Sequence, residues 1–255
     1  MRHLALLFIV CFVITSCASQ LSTDMTVTKE PAVAELSESA KLNVWFDKKY
    51  EAQLMSSPLA LTFQGRKERY AEIDDMSEAA QLEQLRRKGE SVKERKAMFS
   101  FSELTDEAKL SYDLWEHQYE SMLAGKPFMR SGYVFHQMNG THSFFPTLMM
   151  NYHRVTTEQD MQDYVSRLSA IGEAMNELTG QAKLAAEEGV RPPRFAYETV
   201  MKESQSIISG IPFDGSDKDS TLWADAKTKT ATLVEAGTIT QQQGDAILDA
   251  ARAAL

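Results

Sequence analysis

Cysteine is almost missing from this chain: 255 residues contain two, Cys11 and Cys17, both close to the N-terminus. That excludes a disulfide framework and a cysteine-rich zinc module. Glycine and proline are scarce, at 12 and 7, which is too few for the many turns of an all-β chain of this size. Basic residues number 27 against 36 acidic ones, for a net charge of −9. A chain with that balance carries no basic footprint for phosphate backbones, so nucleic-acid binding is excluded as its main task. Past the N-terminus no apolar run is long enough to span a bilayer. The Gly-x-Gly-x-x-Gly, phosphate-loop and Gly-x-Ser-x-Gly patterns are absent, and none of the histidines (His3, His117, His136, His142, His153) is followed by Glu. The residues alone therefore assign no reaction, no catalytic group and no metal ligand. What the chain does have is 43% apolar and 25% charged residues, a composition that folds around a core of useful size.

The N-terminus reads as an address. Met1-Arg2-His3 is a short basic start, and Leu4 to Ile14 is an apolar run of eleven residues, about half of what a membrane-spanning helix needs. A basic start followed by such a run is an export signal. Ile14-Thr15-Ser16-Cys17 resembles a bacterial lipobox, in which cleavage before the cysteine leaves its thiol as the point of lipid attachment. The expectation is a signal over residues 1–16 and a lipidated Cys17. By analogy with known lipoproteins, Ala18 in place of Asp favours release to the outer membrane, so the expected place is the outer membrane facing the periplasm of a Gram-negative cell. Residues 17–34 are rich in Ser, Thr and small side chains and read as a flexible tether, with a reach of about 20–25 Å.

From residue 35 onward apolar residues recur at intervals of three and four, which predicts an all-α array of about seven amphipathic helices. Leu42, Trp45, Phe46 and Tyr50 stripe the first. Ser77 caps a second, with Leu82, Leu85 and Val92 inward and Gly89 marking a kink or break. Thr105 caps a third, carrying Leu110, Leu114, Tyr119, Met122 and Leu123 to a stop at Gly125 and Pro127. The clearest begins at Thr156 or Thr157, where Thr156 with Gln159 fits a capping box. It continues through Met161, Tyr164, Val165, Leu168, Ile171, Met175 and Leu178. Pro193 opens the next, with Phe195, Val200, Met201 and Ile208. Leu222 and Trp223 open the sixth, and Thr240 with Gln243 boxes the last, which still runs at Leu255. That final pattern has no C-cap residue, so further chain is expected.

Between Ser131 and Tyr152 the rhythm breaks, with Gly132, Asn139-Gly140 and Pro146 set among aromatics. The segment is expected to be an irregular aromatic loop, which is either packed or a binding surface. His136 and His142 are read as hydrogen-bonded loop histidines. The acidic groups Glu72-Asp74-Asp75 and Asp214-Asp217-Asp219 read as turns, and the thirteen methionines as core filling.

Several segments together resemble the N-terminal part of the bacterial domain-of-unknown-function 885 (DUF885) family. They are Pro58-Leu59-Ala60-Leu61-Thr62 with Gly65 and Tyr70, Asp74-Asp75-Met76-Ser77, and His136-Gln137-Met138-Asn139-Gly140. Tyr164-Val165-Ser166-Arg167-Leu168 and Gly189-Val190-Arg191-Pro192-Pro193-Arg194-Phe195 complete the set. The resemblance implies an exported helical protein similar to zinc metallopeptidases of the carboxypeptidase and oligopeptidase groups, with a cleft between two helical halves. The family's zinc motif, His-Glu-x-x-Pro-Gly-His, belongs to its C-terminal half and has no counterpart here. None of its catalytic residues transfers to this chain, no cofactor is expected within it, and zinc is expected only for the longer family protein. By this reading residues 35–255 form one wall of a peptide cleft, inactive alone, with an apolar face exposed where the missing C-terminal half would dock. Gln137, Asn139 and His142 are the expected contacts to a peptide substrate. The alternative is a complete, non-catalytic helical lipoprotein that binds a partner or ligand at the envelope.

Overall fold

The computed structural model describes residues 35–255. The expected export signal, the expected lipid-bearing Cys17 and the expected tether lie outside the described residues. Nine α-helices follow one another among those described: α1 (Glu38–Met55), α2 (Pro58–Phe63), α3 (Glu78–Met98), α4 (Asp106–Gly125), α5 (Thr141–Asn151), α6 (Glu158–Glu187), α7 (Arg194–Ile207), α8 (Thr221–Glu235) and α9 (Gln241–Ala254). The all-α expectation holds, with two helices, α2 and α5, beyond the seven read from the periodicity.

Helix starts follow the capping chemistry of the sequence. Ser77 accepts from the Ala80 amide and Thr105 from Ala108, each satisfying a donor that has no partner within the helix. Thr240 and Gln243 form the expected capping box. The box at α6 is Thr157 with Asp160, one residue later than the expected Thr156–Gln159. Asp160 wins because its carboxylate also accepts from the Thr156 amide and hydroxyl, 2.8 Å each, and from Lys67 Nζ.

The segment expected to be irregular from 131 to 152 is so only as far as Gly140; Thr141–Asn151 is α5. Pro146 sits inside that helix and has no N–H to give the His142 carbonyl, a loss of about 3 kcal/mol. Phe145, Leu148 and Met149 are buried at about 1.5–3 kcal/mol each, and that burial outweighs the missing bond.

The helices close over separate cores. Leu42 and Trp45 of α1 meet Ala108 and Tyr112 of α4, together with Phe99 and Leu104 between α3 and α4. Trp45 and Trp115 pack edge to face at 5.5 Å. Met149, Met161, Tyr164 and Leu168 join Trp223, Leu233 and Ile247 among α5, α6, α8 and α9. Leu59, Phe145, Leu148 and Leu178 form a third cluster beneath α2. Arg130 bonds to Glu78 at the start of α3 and to Glu188 just past α6, tying those two helix ends together.

Some stripes face the other way from expectation. On α4, Leu110, Leu114, Met122 and Leu123 are exposed, while the inward row is Ala108, Tyr112, Trp115 and Tyr119. Both rows keep the three-four rhythm, and the aromatic one wins because it buries more surface against α1 and α3. Leu82 of α3, Tyr50 of α1, and Phe195, Met201 and Ile208 in and after α7 are likewise exposed.

Gly89 does not break α3. It is buried, and a Cβ there would stand 2.7 Å from the Tyr119 ring of α4. The missing side chain lets the two helices approach. Gly89→Ala normally adds about 1 kcal/mol of helix propensity, but the clash reverses the sign, and chemical denaturation is expected to show a loss of about 1–3 kcal/mol. In a Tyr119→Ala background the same substitution should stabilise.

Candidate functional site

Two polar constellations stand out, and they differ in kind. The first is centred on Arg167, which is 0% exposed. Its Nε donates to the Glu72 carbonyl at 2.9 Å, one terminal nitrogen to Thr62 Oγ1 at 3.0 Å, and the other to His153 Nδ1 at 3.2 Å. The guanidinium also lies 4.8 Å from the Tyr70 ring centre, and Tyr70 stacks on His153 at 4.1 Å. Guanidinium nitrogens only donate, so Nδ1 is the acceptor and His153 gives its Nε2 proton to the Asp160 carbonyl, 2.9 Å away. Burial pushes His153 down to about 3, so the ring is neutral. Burial also brings Arg167 down to about 10, still charged at neutral pH.

The network continues on both sides. Burial alone would raise Asp160, but hydrogen bonds from Lys67, Thr156 and Thr157 override it and hold the carboxyl at about 2. On the far side, Tyr164 donates to Asp225 at 2.9 Å, and Lys229 bridges Asp225 and the Met149 carbonyl at 2.5 and 2.7 Å. Thr62, Tyr70, Tyr164 and Arg167 all belong to the segments that carry the family resemblance. Each terminal group of Arg167 is matched and enclosed, so no substrate can reach it. This constellation is a joint, fastening α2 and the 66–74 segment onto α6.

The second constellation lies at the corner of α5, α7 and the loop 131–140. The structure places His142 not in the loop but in the first turn of α5, with its side chain only 2% exposed. Its Nε2 gives a proton to Glu203 Oε2 of α7 at 2.7 Å. Phe135 meets the His142 ring edge to face. His136 turns the loop by accepting from the Met138 and Asn139 amides at 3.3 and 3.5 Å. Gln137 is half-buried and Asn139 exposed, so neither shares the burial of His142. Gly140 joins loop to helix, and a Cβ there would stand 2.5 Å from the His142 ring and 2.6 Å from the His136 carbonyl. Only glycine lets them meet.

Glu203 escaped the sequence reading. Its signal was an acid seven residues after Ala196, on the stripe that packs toward α5. That stripe is Ala196, Val200, Glu203 and Ile207, buried or half-buried. The apolar sector of α7 continues round the helix through Tyr197 and Met201 to Ile208 just beyond its end, all exposed, Met201 at 59%.

The acidic groups serve local turns. Asp74 accepts from the Ser57 hydroxyl and the Leu59 amide, and Asp214 from the Gly210 and Ser216 amides. Open grooves of about 550 and 520 Å³ run along α6 beside residues 56–79, away from the corner. Among the described residues no three His, Cys, Asp or Glu side chains are grouped to hold a metal ion. The zinc that the resemblance implies finds no fitting donor set among them.

Comparison with curated proteins and with solved structures gives no match. The family described as "Bacterial protein of unknown function (DUF885)" matches residues 58–255, which takes in α2 to α9 and both polar constellations. The chain therefore belongs to the DUF885 family of bacterial proteins.

Proposed function

We propose that this chain forms one wall of a peptide-binding cleft in an envelope protein resembling zinc peptidases, with the metal-holding residues supplied by a C-terminal half outside these 255 residues. By this reading Cys17 is acylated and the protein belongs to the outer membrane, facing the periplasm. One observation supports this most: Tyr197 and Met201, on the helix that packs against α5, and Ile208 just past its end are uncovered apolar side chains, and α5 itself follows directly on the loop bearing Gln137 and Asn139. An extended peptide needs two things from a wall, apolar contact for alternate side chains and amide partners for its backbone. The uncovered side chains offer the first, and the carboxamides of Gln137 and Asn139 offer the second.

The test is photo-crosslinking with benzophenone-bearing decapeptides, read by mass spectrometry. Label is expected on Tyr197, Met201 or the loop 131–140. Met201→Asp should reduce it roughly tenfold with unchanged melting, because Met201 touches little else. Label that ignores this substitution, or falls on the α3–α4 hairpin, overturns the reading and favours the alternative, a non-catalytic lipoprotein that binds a partner.

A further inference from the structure

The two open grooves along α6 share Ser77 and Glu177 and so form one trough. It reaches from Ala170 to Leu184, about 21 Å at the rise of a helix and the span of about six residues of extended peptide. Ile73, Met76 and Ala174, which belong to the core cluster beneath α2, give it an apolar floor, and Leu184 is exposed at its far end. Its walls carry the carboxylates of Glu72, Asp74, Asp75, Glu78, Glu173 and Glu177. The cations set against them are Arg69, paired with Glu72, Lys183, and Arg130, which reaches Glu78 from outside the trough. Asp74 and Asp75 are bonded to hydroxyl and amide donors nearby, which leaves their charge in place. Glu173 and Glu177 stand one turn apart on the exposed side of α6, a like-charge pair that weakens a helix. Gly180 sits beside them in mid-helix, and a Cβ there would meet nothing within 4 Å. The packing of this chain therefore does not require glycine at that point, where alanine makes a better helix.

We infer that this trough docks an extended basic segment of a partner polypeptide. Charge complementarity selects the occupant, because an acidic partner is repelled and a wholly apolar one would cover the carboxylates without pairing them. Successive side chains of an extended chain point to opposite sides. Apolar residues of the segment rest on Ile73, Met76 and Ala174, while alternate lysines or arginines reach the carboxylates of the walls. Gly180 lets the incoming backbone come close to α6. The trough is separate from the α5–α7 corner, and its occupant does not rest on the peptide-cleft reading.

The test follows the fluorescence anisotropy of a labelled Lys-Leu-Lys-Ala-Lys-Leu amide titrated with the protein at low salt. Saturable binding is expected, and none for the same peptide with Glu in place of Lys. Glu173→Gln together with Glu177→Gln should weaken binding roughly tenfold, as the loss of two exposed ion pairs does. Gly180→Leu should block it by filling the trough. Neither variant should lower the melting temperature, since one removes a repulsive pair and the other a poor helix former. Salt at about 0.5 M should weaken binding further. Absence of saturable binding overturns the inference, as does binding that either variant or the added salt leaves unchanged. Spermidine that displaces the peptide at equal concentration also overturns it, because a bare polyamine then suffices and the apolar floor plays no part.

Discussion

Replacing Arg167 by alanine is expected to lower the folding stability by about 3–5 kcal/mol, from three lost charge-assisted hydrogen bonds and a cavity. The guanidinium reaches the Glu72 carbonyl, Thr62 and His153 at once. Without it Thr62 and His153 are left buried with a partner missing, the part-buried Glu72 carbonyl loses its donor, and the guanidinium beside the Tyr70 ring is gone. A domain of this size has about 5–15 kcal/mol in total, so the loss is a large share of what holds it folded. Arg167→Lys should recover less than half, because an ammonium is a point donor that cannot fork across acceptors from three segments. Urea unfolding followed by tryptophan fluorescence measures both. An alanine variant within 1 kcal/mol of the parent would remove Arg167 from its place as the joint.

Acid should unfold the protein through the same joint. His153 is neutral in the folded state and held near 3 by burial, whereas the unfolded chain takes up its proton near 6.5. Its contribution is therefore complete above about pH 6.5 and is lost as pH falls from there toward 3, by up to about 1.4 kcal/mol per pH unit. Asp160, held at about 2, acts in the same direction lower down: its contribution is complete above about pH 4 and is lost toward 2. His153→Gln supplies an amide that can donate to the Asp160 carbonyl and does not titrate. Urea midpoints measured from pH 7.5 to 4 should fall steeply for the parent and much less for this variant. Equal slopes would mean that another group carries the acid sensitivity.

The parts of the fold legible in the sequence were those where several local signals agree. At α6 and α9 a capping pair precedes a long apolar rhythm, and both helices form where they were read, α6 with its box one residue along. At α5 the local signals disagree with the outcome. Gly140, Asn139 and Pro146 all say turn, and only burial against α6 and α8, a tertiary effect, makes Thr141–Asn151 a helix. The choice between two apolar rows on α4 is of the same kind, because it depends on what α1 and α3 present to it. The candidate site was half legible. His142 was singled out, but its partner Glu203 is sixty-one residues away and only folding brings them together. Arg167 left a readable trace: a charged residue on the inward stripe between Tyr164 and Leu168. A cation at such a position has to find buried acceptors, and here it does.

Arg130 has one further consequence. Its bonds to Glu78 and Glu188 are partly exposed and tie the start of α3 to the end of α6, beside the apolar cluster that Met76 and Leu178 share. Mobile ions weaken exposed pairs while leaving oily interiors untouched. Brine thus acts on this molecule as a slackened guy-rope acts on a tent, freeing one pole while the canvas stays whole.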